Sequence, residues 1–561
     1  MHLYLNDALN ECLRQAVARL EAAPPKDALR WEVPKDPSFG DLSCAVAFQL
    51  ASKQRQAPAH VAQRLVELLQ EAVRASSLHP VVDRFEVKGG FVNLILSQDA
   101  LLGVLRDIRW VKGRYGAGHL GQGRAVVVEF VSANPTGPLS VAHGRQAAVG
   151  DALARLLRWQ GYCVTAEYYL NDEGHQIEML GRSLRARCLE QLGQTDPFPE
   201  DGYHGAYLVT SAQTLTQAHG EALRQKPVEW FIQQGMQEQL AGIKEDLERF
   251  GLRVDQWTSQ RWLRTSGRIE AALKALQAAG LLYDAEGATW FASTKFGDDK
   301  DRVVRKQSGE LTYLAPDIAY HQWKFQRGYA RLINLWGPDH HGYIARINAC
   351  VSALGLPAER LVVKIVQLVT LSRHGKPVPM SKRQGEFVTF REILDEVGVD
   401  ATRFFYLMRT MESHLDFDLD LAKSRSNENP VYYVQYAHAR IWSILGYARR
   451  QIPWWKRVGR VALERLQEAE ERLLMRQLLQ FPMVLAACAQ AMEPHGLTTY
   501  LRRLAEQFHI FYDRHRVITE DVALSRARLA LIEATRWVLA NGLGVLGISA
   551  PKRMSKSDSV A

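Results

Sequence analysis

The 561-residue chain has few cysteines: Cys12, Cys44, Cys163, Cys188, Cys350 and Cys488 are scattered, and none forms a CxxC pair. Such scatter argues against a disulfide framework and a structural zinc site, and leaves reduced, mostly buried thiols. Also missing is any uninterrupted apolar stretch of the roughly 20 residues that a bilayer crossing needs. The first residues do not read as a signal peptide either. Leu5, Leu9, Leu13, Val17 and Leu20 recur at helical spacing with Asn6, Asp7, Glu11, Arg14 and Arg19 between them, as in an amphipathic helix. A cytoplasmic protein with no membrane partner is expected. There is no low-complexity segment or long basic tail, so the net charge of +9 must lie on folded surfaces. A positive excess favours a polyanionic partner, because phosphate contacts dominate nucleic-acid affinity.

What is present is ordinary globular material, 47% hydrophobic and 23% charged. At roughly 100–200 residues per domain, several domains are expected. Residues 1–116 open with helix, pass a turn-rich stretch from Pro34 to Asp41, and continue with a helix from about Pro58 to Ala75. An alternating strand Asp83–Lys88, a Gly89-Gly90 turn and a strand Phe91–Leu96 complete a small α+β unit. The Gly-rich run Arg114–Gly123 reads as a linker. Residues 117–420 alternate strand, loop, helix and strand: Ala125–Val131, a helix from His143 to about Gln160, Cys163–Leu170, then Ala330–Trp336 and Leu361–Leu371. That alternation predicts a Rossmann-like parallel sheet, with a polar helical insertion over about 192–282. Residues 421–561 are helical in pattern, with a last helix near Leu524–Leu546, and predict a helical bundle ending in a polar tail. The fold class is thus multidomain, α/β plus all-α.

Chemistry concentrates in four places. The loop Glu129 to Arg145 joins the first strand of the sheet to its first helix. Ligands bind at the carboxyl ends of such strands, and the helix N-terminus attracts phosphate. His143 and Gly144 sit at that turn, where Gly144 would let backbone approach a nucleotide; a satisfied histidine at a strand-to-helix turn is an equal alternative. Further on, Met380-Ser381-Lys382 lies in a Gly- and Ser-containing basic segment, where a lysine on a flexible stem suits a phosphate leaving group. Leu311 to His321 contains Tyr313 and Asp317. The aspartate suits a guanidinium, but it could equally cap the helix that starts there. Finally, Gly337-Pro338-Asp339-His340-His341-Gly342 invites a metal reading, against which stands the opposite pointing of adjacent side chains in extended chain.

The first two segments resemble the paired signatures of class I aminoacyl-tRNA synthetases, in the right order. The lead-in Ser132-Ala133-Asn134-Pro135-Thr136-Gly137-Pro138 is similar to the arginyl-tRNA synthetases in particular. His143 matches the second histidine of the first signature. Ser140 and Ala142 replace its first histidine and its glycine, and Pro379 replaces the leading lysine of the second. Lys552 to Ser557 mimics the second signature, but follows the last helix in a polar tail and is taken as a decoy. The resemblance extends to Gly89-Gly90-Phe91-Val92-Asn93, like an extra N-terminal domain that contacts the tRNA elbow, and to Asn429–Arg440, like an anticodon-binding bundle.

The resemblance implies ATP with Mg2+ as substrate and no tightly bound cofactor. It implies L-arginine and its tRNA as partners, a monomeric protein, and an arginyl-adenylate intermediate. Catalysis would fall to His143, Ser381 and Lys382. ATP would be held by Ser140, His143, Gly144, Gly337, Asp339, His340, Met380 and Lys382, arginine by Asn134, Tyr313 and Asp317, and tRNA by Tyr433, Tyr436 and Arg440. Aromatic and arginine side chains suit splayed RNA bases, although for any single tyrosine a core position is the favoured reading. Two alternatives stand beside an active enzyme. The departures at Ser140, Ala142 and Pro379 would suit an impaired paralogue acting as an RNA-binding or regulatory protein. A class I synthetase for another amino acid is opposed by the N-terminal domain and the Tyr313–Asp317 pair.

Overall fold

Residues 82–96 form an antiparallel hairpin whose first strand is mostly exposed and whose second is buried beyond its first residue. In the computed structural model, which describes residues 5–20, 29, 31–32, 34, 36, 39–378, 388–452 and 461–554, strands β2 (Val82–Lys88) and β3 (Phe91–Leu96) flank the Gly89-Gly90 turn. Strand β1 (Leu42–Cys44) pairs on the other side of β3, giving the order β1-β3-β2. The helix Pro58–Arg74, with its proline in the first turn, covers this sheet with Val61, Leu65 and Leu69 buried.

The Gly-rich run after Arg114 is not a loose linker. Gly121 N–H donates to Gln160 O at 2.8 Å, and a Cβ on Gly121 would lie 2.3 Å from the Tyr162 nitrogen. Tyr115 is buried and donates to Leu478 O, while Asn541 Nδ2 donates to the carbonyls of Lys112 and Tyr115. Gly121 serves close backbone approach, and the run straps the parallel-sheet unit to the C-terminal bundle. The preceding helix, Gln98–Val111, also packs on the bundle helices Ala469–Ala491 and Val522–Val545.

The central sheet has five parallel strands: β4 (Ala125–Glu129), β5 (Cys163–Leu170), β6 (Gln256–Ser259), β10 (Arg331–Trp336) and β11 (Leu361–Ile365), in the order β11-β10-β4-β5-β6. Successive strands run outward from β4 to β6, and then resume on the far side of β4 with β10. That reversal opens a crevice beyond the carboxyl ends of β4 and β10.

The expected insertion is narrower than 192–282. Two helices, Ala206–His219 and Val228–Arg249, pack against His175–Gln191, and the chain is back in the sheet at β6. Next come β7 (Leu282–Ala285), β8 (Ala288–Phe291) and β9 (Arg302–Arg305), a separate antiparallel sheet. The charged stretch Phe296–Val303 is more than a solvated loop, because the Asp298 carboxylate is buried and bonded to Arg302 and Ser293. The single strand expected over Leu361–Leu371 is broken. β11 ends at Ile365, and β12 (Val369–Arg373) joins a fourth sheet with β13 (Lys376–Pro377) and β14 (Leu415–Asp418).

The C-terminal bundle consists of Pro430–Gln451, Ala469–Ala491, His495–Arg514 and Val522–Val545. Part of the expected tail is anchored to it: His438 Nδ1 donates to Pro551 O at 2.8 Å, and Lys552 lies over the Trp442 ring. Residues 555–561, the rest of the decoy sequence, are outside the described residues. None of the helices searched among the described residues is long and apolar enough to cross a membrane.

Candidate active site

Chain leaves β4 abruptly. Val131 and Ser132 both have positive φ, 69° and 38°, a conformation costly for a β-branched residue and found where surrounding contacts enforce it. The enforcing contacts are visible. Ser132 Oγ accepts from Tyr169 N–H and donates to Glu129, and Tyr168 OH donates to Ala133 O at 2.7 Å. Tyr207 OH holds Thr136 O at 2.6 Å. The loop 130–140 is thereby fixed over the crevice between β4 and β10.

At its end, Ser140 N-caps the helix Val141–Trp159 in a reciprocal box with His143. The Ser140 backbone N–H donates to His143 Nδ1 at 3.1 Å, and Ser140 Oγ is also 3.1 Å from it. With Nδ1 an acceptor, the proton of a neutral His143 resides on Nε2. The flank that follows the other signature comes to the same place. Phe390 N–H donates to Leu139 O at 2.7 Å, and Ser140 bridges to Thr389. Met380, Ser381 and Lys382 themselves lie outside the described residues, yet this strand-like contact places their downstream flank against the first signature.

Gly144 lies differently from the expectation of a nucleotide contact. It faces inward, where a Cβ would lie 2.4 Å from the Phe390 ring and 3.1 Å from Tyr406 OH. Its missing side chain serves helix packing and not nucleotide approach. Gly144→Ala is expected to destabilise the protein by about 1–3 kcal/mol through overpacking, read as a lowered thermal unfolding midpoint. Unchanged thermal unfolding with a raised KM for ATP would instead place the glycine against nucleotide.

Beside the crevice lies a recess containing Asp317. Asp317 does not cap its helix, since Tyr313 holds the N-cap position of Leu314–Gln326. The carboxyl sits one turn in, half-buried, and accepts from Tyr343 OH at 2.5 Å. Burial pushes its pKa up to about 7, with the Glu129 charge adding to the rise against the opposing Tyr343 bond. Among the described residues no cation forms an ion pair with it, and the Arg346 charge only partly offsets the rise. Beneath it runs a directed chain of hydrogen bonds. Fully buried Lys324 donates to Glu129 Oε2 and to Asn334 Oδ1, both at 2.7 Å. Asn334 Nδ2 then donates to His321 Nε2 at 2.9 Å, and His321 Nδ1 donates to Asp317 O at 2.8 Å. Burial, aided by the Lys324 charge, lowers His321 to about 4, so the ring is neutral, as this chain of donors requires.

The remaining predicted residues are less tightly held. Asn134 Nδ2 donates to Gln176 Oε1 at 2.5 Å. Tyr313 is 62% exposed. Gly337 begins the short helical turn Pro338–Tyr343 at the end of β10, with Asp339 and His340 exposed on it and paired to each other at 3.2 Å. Far along the chain, in the bundle, Tyr433, Tyr436 and Arg440 are half-buried, Tyr433 packing against the core from its edge. Tyr432 and Tyr436 stack, Tyr433 meets the His509 ring, and Arg440 lies 4.1 Å over the Tyr512 ring while bonding Tyr436 OH.

Comparison with known proteins agrees over the length of the chain. Residues 7–96 match the arginyl tRNA synthetase N terminal domain, 107–207 and 251–412 the class I (R) tRNA synthetase catalytic domain, and 434–554 the DALR anticodon binding domain. The chain is 44% identical over 549 residues to the arginine–tRNA ligase of Carboxydothermus hydrogenoformans, covering 97% of each. The chain belongs to the arginyl-tRNA synthetase family. A second member, the arginine–tRNA ligase of Syntrophotalea carbinolica, is 45% identical over 556 residues, 98% of this chain and 99% of its own. The arginyl-tRNA synthetase of Thermus thermophilus shares the fold, with a TM-score of 0.78 over 98% of this chain and all of its own, at 24% identity. The catalytic match skips 208–250, the stretch containing the helix Val228–Arg249.

Sequence reasoning passed over Glu129, His321, Lys324, Asn334 and Tyr343. Glu129, His321 and Tyr343 stood inside or beside quoted motifs, but Lys324, Asn334 and Asp317, which they meet, come from other segments or another turn. A lysine within a helix otherwise rich in aromatic and apolar residues was the one available signal for Lys324.

Proposed function

We propose that the chain attaches L-arginine to its tRNA at the expense of ATP. The observation that carries this reading is the junction of the Leu139–Ser140 and Thr389–Phe390 segments at the mouth of the parallel-sheet crevice. It brings the first signature together with the flank that follows the second, next to a recess whose buried aspartate suits a guanidinium.

In the first step the arginine carboxylate oxygen attacks the α-phosphorus of Mg-ATP, and pyrophosphate leaves with the electron pair of the broken P–O bond. A ribose hydroxyl of the tRNA then takes the arginyl group, and AMP departs. Positioning and charge stabilisation suffice for both steps. His143 presents Nε2–H to phosphate oxygens, with its ring held by Ser140. Lys382 and Ser381 stabilise the leaving pyrophosphate, and Met380 lines the nucleotide with Gly337, Asp339 and His340. Asn134 holds the amino-acid end of arginine, while Asp317 and Tyr313 hold its guanidinium. Tyr433, Tyr436 and Arg440 offer stacking and charge to the tRNA from the bundle, and the unit up to about residue 116 touches it elsewhere. Ser140 replaces the family's histidine without leaving the helix end uncapped, which favours an active enzyme over an impaired paralogue. The active unit is taken as a monomer.

The test is attachment of labelled arginine to tRNA, with Lys382→Ala as control. ATP-dependent charging that falls by roughly 10²–10³ in the variant is expected. Folded protein that binds tRNA but never charges it would refute the catalytic reading.

A further inference from the structure

Tyr343 ends the helical turn Pro338–Tyr343 after β10 and N-caps the helix Ile344–Ala353. Its hydroxyl donates to Asp317 Oδ2 at 2.5 Å. The ring is packed between Trp336 and His340, with centroids 6.0 and 6.4 Å away, and the Arg346 guanidinium lies 4.6 Å from it. Arg346 in turn is 4.0 Å from the buried carboxylate of Asp298, which takes two 2.8 Å bonds from Arg302 of β9. One tyrosine therefore joins the acidic recess, the segment carrying Asp339 and His340, and the sheet β7–β9.

A carboxylate on a bare side chain rotates freely, and a planar guanidinium is read well only by a carboxylate of fixed orientation. With Oδ2 held by Tyr343, rotation of the Asp317 carboxylate is arrested and Oδ1 is left to face a guanidinium. We infer that Tyr343 is a positioning residue for arginine selection, orienting Asp317 and tying it to the segment that follows β10. This rests on Asp317 being the guanidinium partner. The groups facing Asp317 are Tyr343, Arg346 and Cys350 on one side, Glu129 at the end of β4, and Tyr169 on β5. Of these, the Tyr343 hydroxyl and the Arg346 charge favour the ionised carboxylate.

Tyr343→Phe removes the one hydroxyl and keeps the packed ring. In steady-state aminoacylation by the full chain it is expected to raise the KM for arginine roughly tenfold, as for one lost charge-assisted hydrogen bond. The KM for ATP should stay within about twofold, and the pH midpoint of kcat/KM for arginine should move upward. Asp317→Asn is assayed in parallel. If it leaves arginine use unchanged, the recess reading itself fails. If Asp317→Asn is impaired while Tyr343→Phe keeps the wild-type KM and pH midpoint, the assignment of Tyr343 is overturned. Equal losses toward arginine and ATP with lowered thermal stability would overturn it too, by making the tyrosine merely structural.

Discussion

Lys324→Met is expected to cost about 3–5 kcal/mol of stability, the range found when one member of a buried ion pair is removed. Lys324 is wholly buried, and its ammonium bonds both the Glu129 carboxylate and Asn334. Burial alone would raise the Glu129 pKa, but the charge and hydrogen bond of Lys324 outweigh it and hold the carboxyl below the usual range. In the wild type this pair contributes stability above the unfolded carboxyl pKa, lost as pH falls through the lower folded value. In the variant the sign reverses. Glu129 keeps its burial without its cation, its folded pKa rises above the unfolded one, and destabilisation grows as pH rises through that value. Denaturant unfolding should therefore show a larger deficit at pH 8 than at pH 5. Lys324→Met combined with Glu129→Gln should recover part of the loss, since no unpaired charge remains. A deficit independent of pH, or no gain in the double variant, would show that Lys324 acts through packing alone.

Asp317→Asn is expected to lower kcat/KM for arginine by roughly 10²–10³, equivalent to about 3–4 kcal/mol for a charged partner lost from a desolvated site. The KM for ATP should change little. The wild-type pH dependence follows from the same carboxyl. Its pKa is raised by burial to about 7, whereas a guanidinium stays protonated throughout. Arginine use should rise with pH through about 7 and then level off, and the Asn variant should lack that rise. The linkage runs the same way in stability. A carboxyl with a raised folded pKa disfavours the fold progressively as pH climbs from its unfolded value to about 7, and a bound guanidinium relieves that penalty. Arginine should thus raise Tm more at pH 8 than at pH 6. An equal shift at both would detach Asp317 from arginine binding.

Much of the architecture was legible because it is written in local patterns. The helix Val141–Trp159 and the strands Cys163–Leu170 and Phe91–Leu96 carry their own periodicity, and Gly89-Gly90 marks its own turn. Ser140 and His143, three positions apart across a helix start, are a local capping pair by geometry. The resemblance of the motifs rested on such short segments.

Other features depended on partners that no window of sequence contains. β6 is four half-polar residues, Gln256 to Ser259, and only its pairing with β5 makes it a sheet strand rather than part of the insertion. Gly144 looked like a nucleotide contact until Phe390 filled its open side. Lys324 and Glu129 are 195 positions apart, and Tyr343 reaches Asp317 from the far side of β10. Local periodicity decides which elements form, because it is set by backbone geometry within a few residues. Strand order and packing decide which side chains meet, and in this protein that is where the recess, its buried charge pair and its orienting tyrosine were made.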